Sequence, residues 1–246
     1  MAQCLRRKLE HFTRLSTADR AKIAELSQAD VHAIRARYDI IREGERPNFV
    51  NLILEGWAVR HKTLEDGRRQ IIAFLIPGDL CDLNVFYLKQ MDHSIGALTP
   101  VKLARVPSEA LQDIERNFPR LAQALMWDML VQAAIQREWT VNLGQRSAIE
   151  RISHLICELQ IRLEMVGACE EGSCALPLTQ VDLSEATGMT AVHVNRTIQE
   201  LRARGLVEWN GRDVHVPDLE ALKQIAMFDD NYLHRDRPGA HLDANE

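Results

Sequence analysis

Long apolar runs are missing from this 246-residue chain; none approaches the roughly 18 residues of a membrane-spanning helix, so no membrane contact is expected. Cysteine is scarce. Cys4, Cys81, Cys157, Cys169 and Cys174 make five, an odd set that offers no disulfide framework. Only Cys4 lies near the N-terminus, so the four clustered thiolates of an iron–sulfur centre are not there. Positive charge is not in excess. Lys and Arg number 30 against 35 Asp and Glu, a formal net charge of −5. That balance excludes indiscriminate coating of nucleic acid but leaves room for one site-specific module. Arg6, Arg7 and Lys8 are not followed by an apolar stretch of signal length, so a reduced, cytoplasmic setting is expected. No G-x-S-x-G, P-loop, H-E-x-x-H or dinucleotide fingerprint occurs. Catalysis is therefore not expected, and no metal site or cofactor is indicated.

What the sequence does carry is concentrated between Leu176 and Val216. Thr179 is placed to cap a short helix, Gln180 to Thr187, with Val181, Leu183 and Ala186 available to face inward. Gly188 supplies a tight turn. Thr190 caps a second helix from Ala191 to about Arg204, which Gly205 stops. Val194, Ile198 and Leu201 recur at helical spacing as its inward stripe. Leu206, Val207 and Trp209 alternate into Asn210-Gly211, and Val214 and Val216 alternate out, which is a hairpin signal. Such a unit is either a winged helix-turn-helix or a purely structural helical hairpin. In the first case its second helix enters the DNA major groove. Thr190, Ala191, Val192, His193, Asn195 and Arg196 are then the candidate DNA-contacting residues, with double-stranded DNA as partner. Local charge does not decide. Arg196, Arg202, Arg204 and Arg212 face Asp182, Glu185, Glu200, Glu208 and Asp213 in one dimension.

Residues 1–30 read as helical, with Ser16 capping a helix through Ala18, Ile23 and Leu26. From Val31 the pattern changes to short β-rich pieces: 38–41, 49–54, 58–62, 70–75 and 101–106. Turns at Gly44, Gly56, Gly67 and Gly78 separate them, as in a β-sandwich or barrel. A short helix over 108–118 follows, then a long one from about Pro119 to Gly144. Between Leu121 and Ile135 only Gln123, Asp128 and Gln132 are polar, so this helix needs cover on more than one side. A second copy of itself is the economical cover, and burial within a monomer is the alternative. Ser147-Ala148-Ile149-Glu150 is a capping box that opens another helix. The segment from Leu143 to Arg146, with Gly144 as a flexible point, is the expected hinge. Residues 166–175 read as an acidic loop. Leu219 to Met227 can form a last helix, and 229–246 is polar and expected to fray.

These parts, in this order, resemble the Crp/Fnr family of bacterial transcription regulators. The matching residues are Gly44-Glu45, Leu54-Glu55-Gly56, Asp66-Gly67-Arg68 and Phe74-Leu75-Ile76-Pro77-Gly78-Asp79, followed by the helix-turn-helix and wing. The resemblance implies an α+β chain. Its parts would be an N-terminal β-roll of the cyclic-nucleotide-binding, jelly-roll type, a long dimerisation helix and a C-terminal winged helix-turn-helix. The expected divisions are 1–118, 119–146, 147–218 and 219–246. It further implies a homodimer joined through the 119–146 helix, a palindromic promoter site, transcriptional activation, and RNA polymerase as a partner. A module that signals to a protein partner rather than to DNA is the alternative.

The same resemblance places an effector pocket at Gly78, Asp79, His93 and Ser94. In cAMP-responsive members a glycine–glutamate pair holds the ribose and an arginine–serine pair grips the phosphate. Here Gly78-Asp79 has the shorter carboxylate, and His93-Ser94 lacks the guanidinium fork, so cAMP is not the expected signal. Asp79 and His93 are then either ligand-holding or solvated loop residues. On the reading helix, Arg196 matches the family arginine that reaches a guanine, while Val192 stands where relatives carry a glutamate. Cys169 and Cys174, close together, are either a redox pair or half of a metal site.

Overall fold

The computed structural model describes residues 3–83, 85–170 and 172–235. Helix α1 (Gln3–Glu10) is followed by α2 (Thr17–Leu26), whose start is fixed as the sequence predicts. Ser16 Oγ accepts the Asp19 N–H at 3.1 Å, and Asp19 Oδ2 accepts the Ser16 N–H at 2.8 Å. Eight strands then build the roll: β1 (Val31–Ile34), β2 (Asp39–Ile41), β3 (Val50–Glu55), β4 (Ala58–Thr63), β5 (Arg69–Leu75), β6 (Leu80–Cys81), β7 (Ser94–Ala97) and β8 (Val101–Val106). They form two four-stranded sheets, ordered β1-β8-β3-β6 and β2-β7-β4-β5. Val50 pairs with Val106 and Leu52 with Ala104 in antiparallel register. Val50, Leu52, Ile53, Phe74, Ile95 and Leu103 are all buried, and because Leu52 and Ile53 point to opposite faces, β3 is covered on both sides. Strands β1, β6 and β7 lie outside the β-rich pieces of the sequence; each has four residues or fewer.

After α3 (Ser108–Asn117) comes α4 (Pro119–Gly144), then α5 (Ala148–Met165), where Glu150 Oε2 accepts the Ser147 N–H at 2.7 Å. The reader follows: β9 (Cys169–Glu170), β10 (Ser173–Ala175), α6 (Gln180–Thr187), α7 (Ala191–Ala203), β11 (Glu208–Asn210), β12 (Asp213–His215), α8 (Leu219–Ala226) and a 3₁₀ turn, Asp230–Leu233. The described residues divide into two compact units. One is built on residues up to 62 and 73–133, the other on 63–72 and 134–233.

Two expectations about the C-terminal third need correction. Within residues 166–175, expected as a loop, β9 and β10 pair antiparallel and β10 also pairs with β12, giving a sheet in the order β11-β12-β10-β9. A polar loop gained strand structure because the wing offered it an edge. The helix expected over Leu219 to Met227 forms as α8, but the fraying expected from 229 does not begin there, since Asp230–Leu233 is a 3₁₀ turn. Leu222 and Ala226 of α8 are fully buried, as is Leu233 beyond it, and Phe228 lies 4.8 Å, ring to ring, from His154 of α5. This segment belongs with the reader; the expected fraying at 236–246 lies outside the described residues.

Candidate nucleic-acid interface and sensor site

Helices α6 and α7 owe their starts to side-chain caps. Asp182 Oδ2 accepts the Thr179 N–H at 2.9 Å, and Thr179 Oγ1 accepts the Asp182 N–H at 3.1 Å. Gly188 ends α6 at φ +67°, a conformation that opposes any side chain larger than hydrogen. Thr190 Oγ1 accepts the His193 N–H at 3.2 Å and opens α7. Val194, Ile198 and Leu201 are buried, which turns the opposite face outward. On that face Val192 is 81% exposed, and Asn195 and Arg196 are exposed beside it. Thr190 is exposed but its hydroxyl oxygen serves the cap, while Ala191 and His193 are half-buried flanks. Gln199 is also exposed, three residues beyond Arg196. Its helical spacing was the signal for adding it to the candidates.

Folding also settles part of the charge balance. Asp182 is fully buried in its cap, and Glu200 is paired with Arg204. Glu185 is likewise paired with Arg69, so three of the five nearby acids are engaged, one of them by the module's own Arg204. Among the described residues no carboxylate is ion-paired with Arg196. In the wing, Trp209 pairs with Val214 and Asn210 with Asp213 around the Gly211 turn. Cys169 and Cys174 face each other across the β9–β10 ladder and are joined as a disulfide, with Cα atoms 4.6 Å apart. They are bonded to one another, not set out as metal ligands. Cys174 also pairs with Val214 of β12, which puts the disulfide in the same sheet as the wing.

Side-chain hydrogen bonds cross the segment between α4 and α5 where the hinge is expected. The Arg151 guanidinium donates to the carbonyl oxygens of Leu143 at 3.1 Å, Arg146 at 3.0 Å and Thr187 at 2.6 Å. Two of these acceptors belong to the end of α4 and the turn after it, the third to the last turn of α6. Arg146 in turn donates to Asn142 Oδ1 at 3.2 Å and Glu138 Oε2 at 3.1 Å. The Arg151 bonds satisfy backbone carbonyls at and just beyond helix ends.

Along α4, Met126, Leu130, Ala133, Arg137 and Val141 are all exposed. Their spacing keeps them within one narrow sector of the helix, and four of the five are apolar. The opposite side, including Leu121, Leu125, Ile135 and Trp139, is buried.

In the sensor, the four expected pocket residues already have partners within the chain or pack against it. Asp79 is 1% exposed, and its Oδ1 receives Lys8 Nζ at 2.7 Å while Oδ2 receives the Ile76 N–H at 2.8 Å. Lys8 Nζ also lies 2.7 Å from Asp128 Oδ1. Burial works against the ammonium, but Asp128 and Asp79 outweigh it and raise the Lys8 pKa above that of an ordinary lysine. His93 is no solvated loop residue either. Its Nε2 lies 3.0 Å from Asp82 Oδ2 and its Nδ1 2.6 Å from Asp92 Oδ1. Burial opposes its charge, yet these carboxylates raise its pKa above the ordinary histidine value. Arg60 Nε, the cation of that cluster, is 3.1 Å from Asp82 Oδ1. Ser94 Oγ accepts the Glu43 N–H at 2.9 Å. A cyclic phosphate placed at His93-Ser94 would meet Asp82 and Asp92, and a ribose at Gly78-Asp79 would find its carboxylate held by Lys8. The residues present do not fit a cyclic nucleotide.

A β-roll, a long helix with an exposed apolar stripe and a winged helix-turn-helix together define a DNA-binding transcription regulator. The comparisons agree. A cyclic nucleotide-binding domain family matches residues 31–117, and a Crp-like helix-turn-helix domain family matches residues 150–225. The transcriptional activator protein FnrL of Cereibacter sphaeroides is 25% identical over 226 residues, covering 90% of both chains. The transcriptional activatory protein AadR of Rhodopseudomonas palustris is 29% identical over 232 residues, covering 92% of this chain and 90% of that one. The solved structure of FixK2 from Bradyrhizobium japonicum has the same fold, with a TM-score of 0.70 over 80% of this chain and 96% of that one at 24% identity. The chain belongs to the Crp/Fnr family of transcription regulators. The relatives it matches are transcription regulators, and no helix among the described residues is long and apolar enough to cross a membrane.

Proposed function

We propose that this regulator works in the cytoplasm as a homodimer and activates transcription from a palindromic site, with RNA polymerase as its partner. The outward face of α7 carries this reading: Val192, Asn195 and Arg196 are exposed together at the start of a capped helix that follows a glycine turn. Arg196 offers two parallel donors to guanine O6 and N7, and Val192 offers an apolar contact to a thymine methyl. The exposed stripe of α4 supports the dimer, because an apolar face of this length is best covered by its twin. Half-sites then lie about 34–36 Å apart, one helical turn of DNA. The signal that enters through the roll is something other than a cyclic nucleotide.

Selection of duplexes from a random pool by the full-length protein tests this reading. Recovery of an inverted repeat supports it, and so does affinity that falls steeply with salt. Recovery of unrelated sequences, with flat salt dependence, overturns it in favour of a protein partner.

A further inference from the structure

The space between the pocket loop and the long helix is already filled by the chain's own first helix. We propose that α1 is a tethered occupant of the sensor, and that Lys8 joins the pocket loop to α4 as a diffusible effector would, so that DNA binding depends on α1 being docked. This proposal rests on the reading of α4 as the dimer helix and α7 as the reader.

Three independent contacts carry it. The first is backbone on backbone. Gly78 has φ +94°, and a Cβ added there would stand 2.9 Å from the carbonyl carbon of Cys4 and 3.0 Å from the nitrogen of Leu5. Helix α1 therefore lies directly on the loop that the resemblance assigns to the ligand. The second is the bridge itself. Lys8 Nζ is 2.7 Å from Asp79 of the loop and 2.7 Å from Asp128 of α4, and all three side chains are buried. One ammonium between two carboxylates binds both elements at once, and its removal leaves two buried charges without their cation. The third is apolar. Leu5, Leu9 and Phe12 are each at most 1% exposed, and the Phe12 ring stacks on Trp127 at 6.1 Å between centroids. Trp127 precedes Asp128, so α1 grips the same turn of α4 twice. Met126 and Leu130 of the exposed stripe flank that turn.

A tethered group competes at a high effective concentration, so an ordinary effector cannot enter while α1 stays in place. Control then comes from releasing α1 or from the amount of protein, and the docked state is the one that orders α4.

The test uses full-length protein, hydrogen exchange read by mass spectrometry, and affinity for the selected duplex. Lys8→Met is expected to speed exchange at least tenfold in residues 3–12, 76–81 and 121–133 together, and to weaken DNA binding at least tenfold. Lys8→Met combined with Asp79→Asn and Asp128→Asn leaves no orphaned charge. It is expected to keep the exchange of strands β3 and β8 at wild-type level while DNA binding stays weakened. If Lys8→Met unfolds the chain, the triple variant is judged by the same criteria for 121–133 and DNA. Faster exchange confined to 3–12, with 121–133 unchanged and affinity within twofold of wild type, overturns the proposal. If wild-type protein selects no duplex, the DNA reading fails, and joint or separate loosening of the three segments still decides whether α1 couples loop to helix.

Discussion

Asn142 Nδ2 lies 3.1 Å from His154 Nδ1, joining the last turn of α4 to the second turn of α5. The histidine is fully buried, with Phe228 and Tyr232 on its ring. Burial first, and the nearby Arg146 cation second, push its pKa down from 6.5 to about 3. The folded chain thus holds His154 neutral while the unfolded chain protonates it. Its stabilising contribution is complete above pH 6.5 and is lost as pH falls toward 3, at about 1.4 kcal/mol per pH unit. Glu158 runs the other way, since burial raises its pKa, so the comparison must be made against a variant. Urea unfolding of wild type and His154→Gln between pH 4 and 8 is expected to give a shallower acid limb in the variant. Parallel limbs would mean that His154 is charged in the fold.

Glu158 itself is a buried carboxylate held by donors from three elements. Trp139 Nε1 of α4 reaches it at 3.1 Å, Tyr232 Oη at 3.1 Å, and Arg162 Nη1 at 3.3 Å. Tyr232→Phe removes one donor without changing shape. The expected cost is about 1–3 kcal/mol in denaturant unfolding, and an unchanged midpoint would mean that the hydroxyl contributes nothing to holding the carboxylate.

The disulfide predicts a redox-dependent wing. Reduction by a dithiol delivers two electrons and two protons, breaking the Cys169–Cys174 bond and leaving two thiols. The loop it closes is short, with a sequence separation of 5, so the chain-entropy contribution is about 2 kcal/mol. Cys169→Ser with Cys174→Ser and the reduced wild type are expected to melt at the same temperature, both below the oxidised protein. Because β10 pairs with β12, duplex affinity should follow the same order. Identical melting of all three would show that the bond contributes no stability.

Much of this architecture is legible in the sequence because its signals are local. Ser16, Ser147, Thr179 and Thr190 mark helix starts within three or four residues of their partners, and Asn210-Gly211 marks its own turn. The family resemblance rests on the same short turns in order. What escapes a linear reading is long-range. Lys8 and Asp79 are separated by 71 residues, and in the sequence Arg6-Arg7-Lys8 is only a basic run with no apolar stretch behind it. Only folding shows that Lys8 points inward to two acids. The β9–β10 hairpin is hidden for a related reason. Glu170 and Ser173 have low strand propensity, and the pairing that makes them strands is supplied by Asp213 to His215, some forty residues on.

Arg196→Ala tests the reading helix directly. A bidentate contact to guanine predicts a loss of about 1–3 kcal/mol and relaxed choice at one base pair per half-site. Uniform weakening across all duplexes, with a smaller salt slope, would reassign Arg196 to phosphate.

Val192 provides the sharper test of specificity. At 81% exposure it has no packing role that would justify a branched apolar side chain at this point of α7. An apolar contact to a thymine methyl gives it one, whereas a carboxylate there would accept from a cytosine amino group. Val192→Glu is therefore expected to fold as wild type and to move the preferred base at one position of each half-site from thymine toward cytosine. Parallel selection with the two proteins reads this out. The change should be worth about 1–3 kcal/mol between the two duplexes, with opposite sign for the two proteins. Because the duplexes differ at a single base pair, a general loss of affinity cancels in the comparison. An unchanged preference would place Val192 outside the groove.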